Sequence, residues 1–90
     1  MGIAAVKIKI LPTSPETDLE EIKEKTKSLV EKLGGKNCNF EEEPIAFGLK
    51  AVIAFFAWPE EVELENLEEE LRNLENVSSI QVIDMRRAFG

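Results

Sequence analysis

The chain has 90 residues, of which 43% are hydrophobic and 32% charged, and its formal net charge is -7. A chain of this length fits one domain, which we expect to span 1–90. The proportion of hydrophobic to charged residues favours a folded core over a disordered chain. Nucleic-acid binding depends on Lys and Arg contacts to phosphate, so the acidic charge disfavours a direct nucleic-acid partner. The acidity suits a protein partner with a basic surface, although acidity that simply keeps a small domain soluble is the plainer interpretation.

The cysteine and histidine counts limit the possible catalytic and metal chemistry, and the apolar segments indicate the cellular compartment. Cys38 is the only cysteine and there is no histidine, which excludes an intramolecular disulfide and removes the commonest general base and metal ligand. The first apolar run is interrupted by Lys7 and Lys9, which argues against a signal peptide, and no stretch reaches transmembrane length. We therefore expect a soluble cytoplasmic protein with no membrane contact, no metal and no cofactor.

The first half of the chain predicts a strand, a helix and a second strand. Residues 3–11 alternate between apolar and other side chains, which is typical of a strand with one wet face. Apolar residues then recur at helical spacing over 19–33, after a cap at Thr17 or Asp18 and before a glycine stop at Gly34-Gly35. A less regular strand follows around Cys38 and Phe40 and ends in the acidic run before Pro44.

The second half predicts a tight connection over 44–48, a strand over 49–58, a helix over 64–74 and a last strand over 77–85. Both faces of the third strand are apolar, which marks a central strand. In the last strand we expect Ile80 and Val82 on one face and Ile83 and Met85 on the other. Residues 86–90 are expected to form a tail.

The order β-α-β-β-α-β predicts an α+β, ferredoxin-like sandwich, with a four-stranded antiparallel sheet and both helices on one face. In this topology the first and third strands are central. We expect Val52, Phe56 and Trp58 to lie on the open face of the sheet, which no helix covers, and Lys50 to project from that same face.

No arrangement of side chains predicts covalent catalysis. Cys38 has no histidine to activate it. The carboxylates of residues 41–43 are consecutive, so neighbouring ones face opposite sides of a strand and do not converge on one site. The acidic run over 60–70 has no ordered metal-ligand spacing and is interpreted as a solvated helix face.

Three segments carry a resemblance to a known family. The run 42-EEPIAFGLKA-51 resembles the signature segment of the archaeal elongation factor 1-beta family. The segments 11-LPTSPETDLEEIKEK-25 and 77-VSSIQVIDMRR-87 are similar to that family's first helix region and closing strand. The likeness covers most of residues 3–87 in the same order of elements, and the PIAFG motif is its most specific part.

The resemblance implies a function and a set of residues. It implies a guanine-nucleotide exchange factor that releases GDP from elongation factor 1-alpha without covalent chemistry of its own. In eukaryotic relatives an aromatic residue before the third strand and a basic residue near the C-terminus approach the GTPase's Mg²⁺ and switch region. The matching aromatic is Phe47, and the basic position falls at Arg87, where those relatives carry lysine, with Arg86 as the alternative. The implied partner-binding residues are Pro44, Ile45, Ala46, Phe47, Gly48, Lys50, Arg86 and Arg87.

Two other functions stay open at this point. A non-catalytic interaction or dimerisation module of the same fold would use Val52, Phe56 and Trp58 as an apolar surface. A small-molecule sensor or enzyme of this fold is the other, although no loop supports it. From the residues alone we favour a core position for Phe47, because Ile45 and Phe47 alternate and either side chain can turn inward. The oligomeric state is undetermined.

Overall fold

The computed structural model describes the backbone of residues 2–89 and the side chains of residues 2–86. It contains the predicted order of four strands and two helices. The strands are β1 (Ile3–Pro12), β2 (Lys36–Pro44), β3 (Lys50–Pro59) and β4 (Val77–Phe89), and the helices are α1 (Leu19–Lys32) and α2 (Glu65–Arg72). A short 3₁₀ turn, Ala46–Gly48, lies between β2 and β3.

The sheet is four-stranded in the order β2-β3-β1-β4, and every neighbouring pair is antiparallel. The first and third strands are therefore central, as predicted. Helix α1 packs against β2 and β3, and α2 packs against β4 and α1. This arrangement confirms the α+β, ferredoxin-like fold class.

The core lies between the helices and one face of the sheet. The face of β1 that alternation predicts to be apolar is buried, and across the β1–β3 ladder Val6 lies opposite Phe56 and Ala4 opposite Trp58. Helix residues complete this cluster, in particular Ile22, Val30, Leu67 and Leu71.

The prediction for the open face of the sheet is wrong. Val52, Phe56 and Trp58 are buried beneath the helices instead of lying on the uncovered face. Trp58 has no exposed surface, its ring meets Phe56 edge-on at 5.8 Å between centroids, and its Nε1–H donates to the Val62 carbonyl at 2.9 Å. These side chains are held inside the protein, which removes the surface on which the dimerisation hypothesis depended.

Helix α1 begins and ends with the predicted residues. The Asp18 carboxylate accepts from the Glu20 amide at 3.1 Å, so Asp18 is the N-cap, and the bond is a simple cap to the second helical residue. At the other end Gly34 has φ 113°, and the Gly34 and Gly35 amides donate to the carbonyls of Glu31 and Val30. This pattern is a Schellman motif, in which the left-handed residue favours glycine.

The last strand differs from its prediction in two ways. A register shift between the Lys7 and Ile8 pairings leaves Ile83 unpaired, so Met85 lies opposite Val6 and shares the face of Val82. The expectation that Met85 lies on the face opposite Val82 is therefore wrong. The residues predicted as a tail continue the strand as far as Phe89, with Arg86 opposite Ala5 and Arg87 opposite Ala4; Gly90 lies outside the described residues.

Candidate functional site

The connection between β2 and β3 forms a protruding turn, here called the Phe47 turn and defined as residues 45–49. The ladder closes with Pro44 opposite Lys50. Within the turn the Ile45 amide donates to the Leu49 carbonyl at 2.8 Å and the Leu49 amide donates to the Ala46 carbonyl at 3.3 Å. These two bonds close the end of the β2–β3 hairpin, so the chain reverses direction between Pro44 and Lys50.

Phe47 is the most exposed large apolar side chain among those the structure describes, with 92% of its surface accessible. Its backbone is left-handed, with φ 62° and ψ 29°, which is unfavourable for a residue with a bulky side chain. Full exposure costs the folded chain the hydrophobic stabilisation of a buried ring. The structure therefore excludes the interpretation of Phe47 as core and leaves an unburied aromatic ring in a strained turn, a combination that is typical of binding sites.

Gly48 continues the left-handed conformation, with φ 75°, directly after Phe47. A side chain here would meet little, because the nearest heavy atom to an added Cβ is Pro15 Cβ at 4.0 Å. Glycine is thus favoured here by the backbone conformation and not by lack of space. The same contact shows that the loop before α1 lies beside the Phe47 turn.

The prediction for Lys50 is wrong, because it does not project from the open face. In strand alternation Lys50 shares the side of Val52 and Phe56, which is the side that carries the helices. Its ammonium lies 4.0 Å from Glu42 Oε1. Lys50 therefore stands beside the first turns of α1, at the base of the Phe47 turn.

Glu42 is also bound by Lys23, at 2.8 Å from the Lys23 ammonium to Glu42 Oε2, and Lys23 bonds Glu20 at 2.9 Å. The hydrogen bond from Lys23 lowers the pKa of Glu42 below its usual value, and the hydrogen bonds to Glu42 and then Glu20 raise the pKa of Lys23. Glu42 and Lys23 therefore both stay charged near neutral pH. The ion pair joins residues 19 positions apart in sequence. No helical or strand spacing in the sequence therefore predicts it.

The two predicted basic residues lie at the opposite end of the sheet from Phe47. Ile10 of β1 pairs with Val52 near the Phe47 turn, whereas Ala4 of β1 pairs with Arg87. At about 3.3 Å per residue, this stretch of β1 separates the two regions by about 20 Å. The structure thus brings residues 44–50 together but does not bring them near Arg86 and Arg87, so a single convergent patch is not formed.

Arg86 is exposed and its Nε–H donates to Asp84 Oδ1 at 3.1 Å. Its pairing with Ala5 places it on the open face of the sheet. Beside it the face is concave, lined mainly by Ala5, Ala57, Phe55 and Lys7, and the Lys7 ammonium lies 4.8 Å from the centre of the Phe55 ring. The side chain of Arg87 lies outside the described residues, so its predicted role stays a prediction.

The described part of the chain shows little that would support catalysis. Cys38 is half-buried, and burial, with the Glu31 charge, raises the pKa of its thiol to about 11. The thiolate is therefore scarce at neutral pH. Among the described residues no group of three His, Cys, Asp or Glu side chains is placed to hold a metal ion, and no helix there is long and apolar enough to cross a membrane.

The fold and the exposed turn define a ferredoxin-like sandwich with an exposed aromatic turn at one end, and comparison with known proteins gives its family. Residues 5–88 match the family described as EF-1 guanine nucleotide exchange domain. The chain belongs to this family.

Curated relatives support the same assignment. The chain is 42% identical over 88 residues to the elongation factor 1-beta of Methanosarcina barkeri, an alignment that covers 97% of this chain and 99% of that protein. It is 40% identical over 86 residues to the elongation factor 1-beta of Methanococcus maripaludis strain C6, covering 94% and 97% of the two chains. The resemblance to archaeal elongation factor 1-beta inferred from the sequence is confirmed over nearly its full length.

Proposed function

We propose that this protein accelerates the release of GDP from elongation factor 1-alpha, so that GTP can replace it. Family membership supports nucleotide exchange on this GTPase, and the single observation that carries the residue assignment is the 92% exposed ring of Phe47. A turn that holds an aromatic ring away from its own core is suited to inserting that ring into a partner. The remainder of the turn, with Pro44 and Lys50, lies at the base of the exposed ring and completes this contact.

A second contact lies at the other end of the sheet, through Arg87 or Arg86. A cation placed near the GTPase's Mg²⁺ would weaken metal binding by charge repulsion, and Mg²⁺ with the phosphate loop holds GDP by charge. The separation of about 20 Å along β1 means that Phe47 and the arginine do not enter the same spot on the GTPase. Phe47 therefore anchors the complex, and the basic end acts on the nucleotide site.

Exchange of this kind follows from coupled binding. A factor that binds the nucleotide-free GTPase more tightly than the GDP-bound form lowers GDP affinity by the same factor. This mechanism needs no nucleophile, metal ion or cofactor from the exchange factor. The acidic net charge of -7 favours a basic protein surface over RNA or DNA as the partner. We infer that residues 1–90 form a single exchange-factor domain and that the protein acts in the cytoplasm.

The test is release of a fluorescent GDP analogue from archaeal elongation factor 1-alpha in the presence of excess GTP. Substoichiometric protein should accelerate release in repeated turnovers, and Phe47→Ala should lower that acceleration by about tenfold or more, the loss of one anchor side chain. Lys27→Ala on the exposed surface of α1 is the matched control and should leave the rate unchanged. Full acceleration by a folded Phe47→Ala protein would remove Phe47 from the site.

A further inference from the structure

Four charged side chains form a cluster at the base of the Phe47 turn. Lys23 of α1 bonds both Glu20 and Glu42 through its ammonium group, at 2.9 and 2.8 Å. The other carboxylate oxygen of Glu42 faces the Lys50 ammonium at 4.0 Å. Glu42 lies two residues before Pro44, and Lys50 pairs with Pro44 across the ladder. The cluster therefore joins α1, β2 and β3 at the point where the turn leaves the sheet.

Within this cluster the Lys23–Glu42 pair is less exposed than the Lys25–Glu21 ion pair of α1, whereas Glu20 and Lys50 are largely exposed. The side chains of Lys23 and Glu42 are 20% and 34% exposed, whereas those of Lys25 and Glu21, also in an ion pair, are 42% and 50% exposed. Partial removal from water strengthens a charge pair and weakens its screening by salt. The 19-residue separation in sequence also means that this pair fixes two elements relative to each other instead of supporting one helix.

The Phe47 turn has few restraints of its own. The two backbone hydrogen bonds described above are its internal support, and one of them is long, at 3.3 Å from the Leu49 amide to the Ala46 carbonyl. Phe47 has a left-handed backbone and a ring that packs against almost nothing. A strained conformation of this kind persists only when the surrounding structure holds it.

We propose that Lys23 and Glu42 are positioning residues, which fix the base of the Phe47 turn and so hold the Phe47 ring in the orientation that enters the partner. Lys50 shares the Glu42 carboxylate and ties the far side of the turn to the same point. What the ring enters rests on the proposed function, whereas the fixing of the turn is a property of this chain alone. The two parts are tested by different measurements.

The first measurement is amide hydrogen exchange by NMR on the isolated protein. In Glu42→Gln the Ile45 and Leu49 amides should exchange about fivefold faster, because the turn opens more often. Glu41→Gln is the matched control, since Glu41 is the adjacent exposed residue on the other face of β2 and takes part in no ion pair among the described side chains. Unchanged protection in Glu42→Gln would overturn the proposal, whatever the protein does to a GTPase.

The second measurement is nucleotide release at increasing concentrations of GTPase. Glu42→Gln should raise the half-saturating GTPase concentration by about three- to tenfold while leaving the maximal rate near that of the wild type, because binding and not the release step is affected. Lys23→Gln should do the same, and the double substitution should do no more than either alone. A lower maximal rate with unchanged half-saturation would contradict a positioning role.

The decisive comparison is made in a Phe47→Ala background. If Lys23 and Glu42 act through the ring, Glu42→Gln should have no further effect on exchange once the ring is gone. An effect of full size in that background would show that Glu42 acts by another route and would overturn the proposal. If the wild-type protein accelerates no exchange, the proposed function fails, and the hydrogen-exchange result still decides whether Lys23 and Glu42 fix the turn.

Discussion

Phe47 and Trp58 lie near opposite ends of β3, and their side chains differ completely in solvent exposure. Trp58 at the end of β3 has no exposed surface and donates its indole hydrogen to the Val62 carbonyl, whereas Phe47 before β3 is 92% exposed. One aromatic closes the core between sheet and helices, and the other is kept out of it. The comparison shows that this small domain buries one aromatic ring at one end of β3 and exposes another at the other end, where we propose the partner contact.

The glycines near these two aromatics differ in the same way. Gly35 is buried beneath Trp58, and a Cβ added there would lie 2.5 Å from Val30 Cγ1 and 3.1 Å from the Ala57 carbonyl oxygen. Gly48 has open space around it but a φ of 75°. At the Trp58 end close packing requires glycine, whereas at the Phe47 end the backbone conformation favours it.

The largest contrast is expected from truncating the two aromatics. Trp58→Ala should lower the free energy of unfolding by about 3–5 kcal/mol, because it leaves a large cavity and an unpaired carbonyl. Phe47→Ala should change it by less than about 0.5 kcal/mol, since the ring makes few contacts. Urea unfolding followed by circular dichroism measures both. A loss above about 2 kcal/mol in Phe47→Ala would show that the ring packs in solution, contrary to this comparison.

Replacing Gly35 or Gly48 with alanine should give a smaller difference in unfolding free energy between the two ends of β3. Gly35→Ala should destabilise by about 1–3 kcal/mol, because the backbone and Val30 must shift to admit the methyl group. Gly48→Ala should cost about 1 kcal/mol, the penalty of a left-handed backbone with a Cβ. Thermal unfolding monitored by calorimetry gives both values. Equal losses at the two positions would mean that packing and backbone conformation do not separate the two ends as described.

Periodicity predicts the elements of this fold well, because the apolar spacing changes clearly from two in β1 to three and four in α1. It does not predict which face of β3 is covered. Both faces of that strand are apolar, so the choice depends on its register with β1, where Val6 meets Phe56. The prediction that Val52, Phe56 and Trp58 lie on the open face is therefore wrong. The bulge at Ile83 likewise has no signal in the apolar spacing, so the face of Met85 was also predicted incorrectly.

The candidate site was predictable only in part. The PIAFG motif identifies the Phe47 turn through resemblance, but the left-handed conformation of Phe47 has no local signal in the sequence. Lys23 was missed altogether, because its partner Glu42 is brought to it by the packing of α1 on β2. Its position in a run of alternating charges on an exposed helix would favour an ordinary surface lysine.

Thr26 allows a smaller test, located in the core and away from both ends of β3. Its side chain is fully buried in α1, and its hydroxyl has no hydrogen-bond partner among the described residues. Thr26→Val keeps the shape and removes the unpaired hydroxyl, which should stabilise the protein by about 1 kcal/mol. Thr26→Ser, which keeps the hydroxyl and loses a methyl group, is the control and should destabilise. A loss of stability in Thr26→Val would indicate that the hydroxyl is hydrogen-bonded in solution.

The smallest expected effect is a pH dependence at the base of the Phe47 turn. The hydrogen bond from Lys23 lowers the pKa of Glu42 in the folded state. A lowered carboxyl pKa stabilises the folded state above the unfolded-state pKa, and this contribution is lost as the pH falls through the folded-state pKa. The wild type should therefore exceed Glu42→Gln in unfolding free energy near neutral pH, and the difference should shrink as the solution is acidified.

Lys23→Gln provides the control for that pH dependence, because Lys23 supplies the hydrogen bond named as its main cause. In the Lys23→Gln background, Glu42→Gln should cost less stability near neutral pH, and the remaining difference should vary less between neutral and acidic solution. Urea midpoints at several pH values are sensitive enough for the comparison. A wild-type advantage that stays constant into acid would mean that the Glu42 carboxylate is no better stabilised in the folded chain than in the unfolded one. In that case the Phe47 turn would have to be held by its backbone alone.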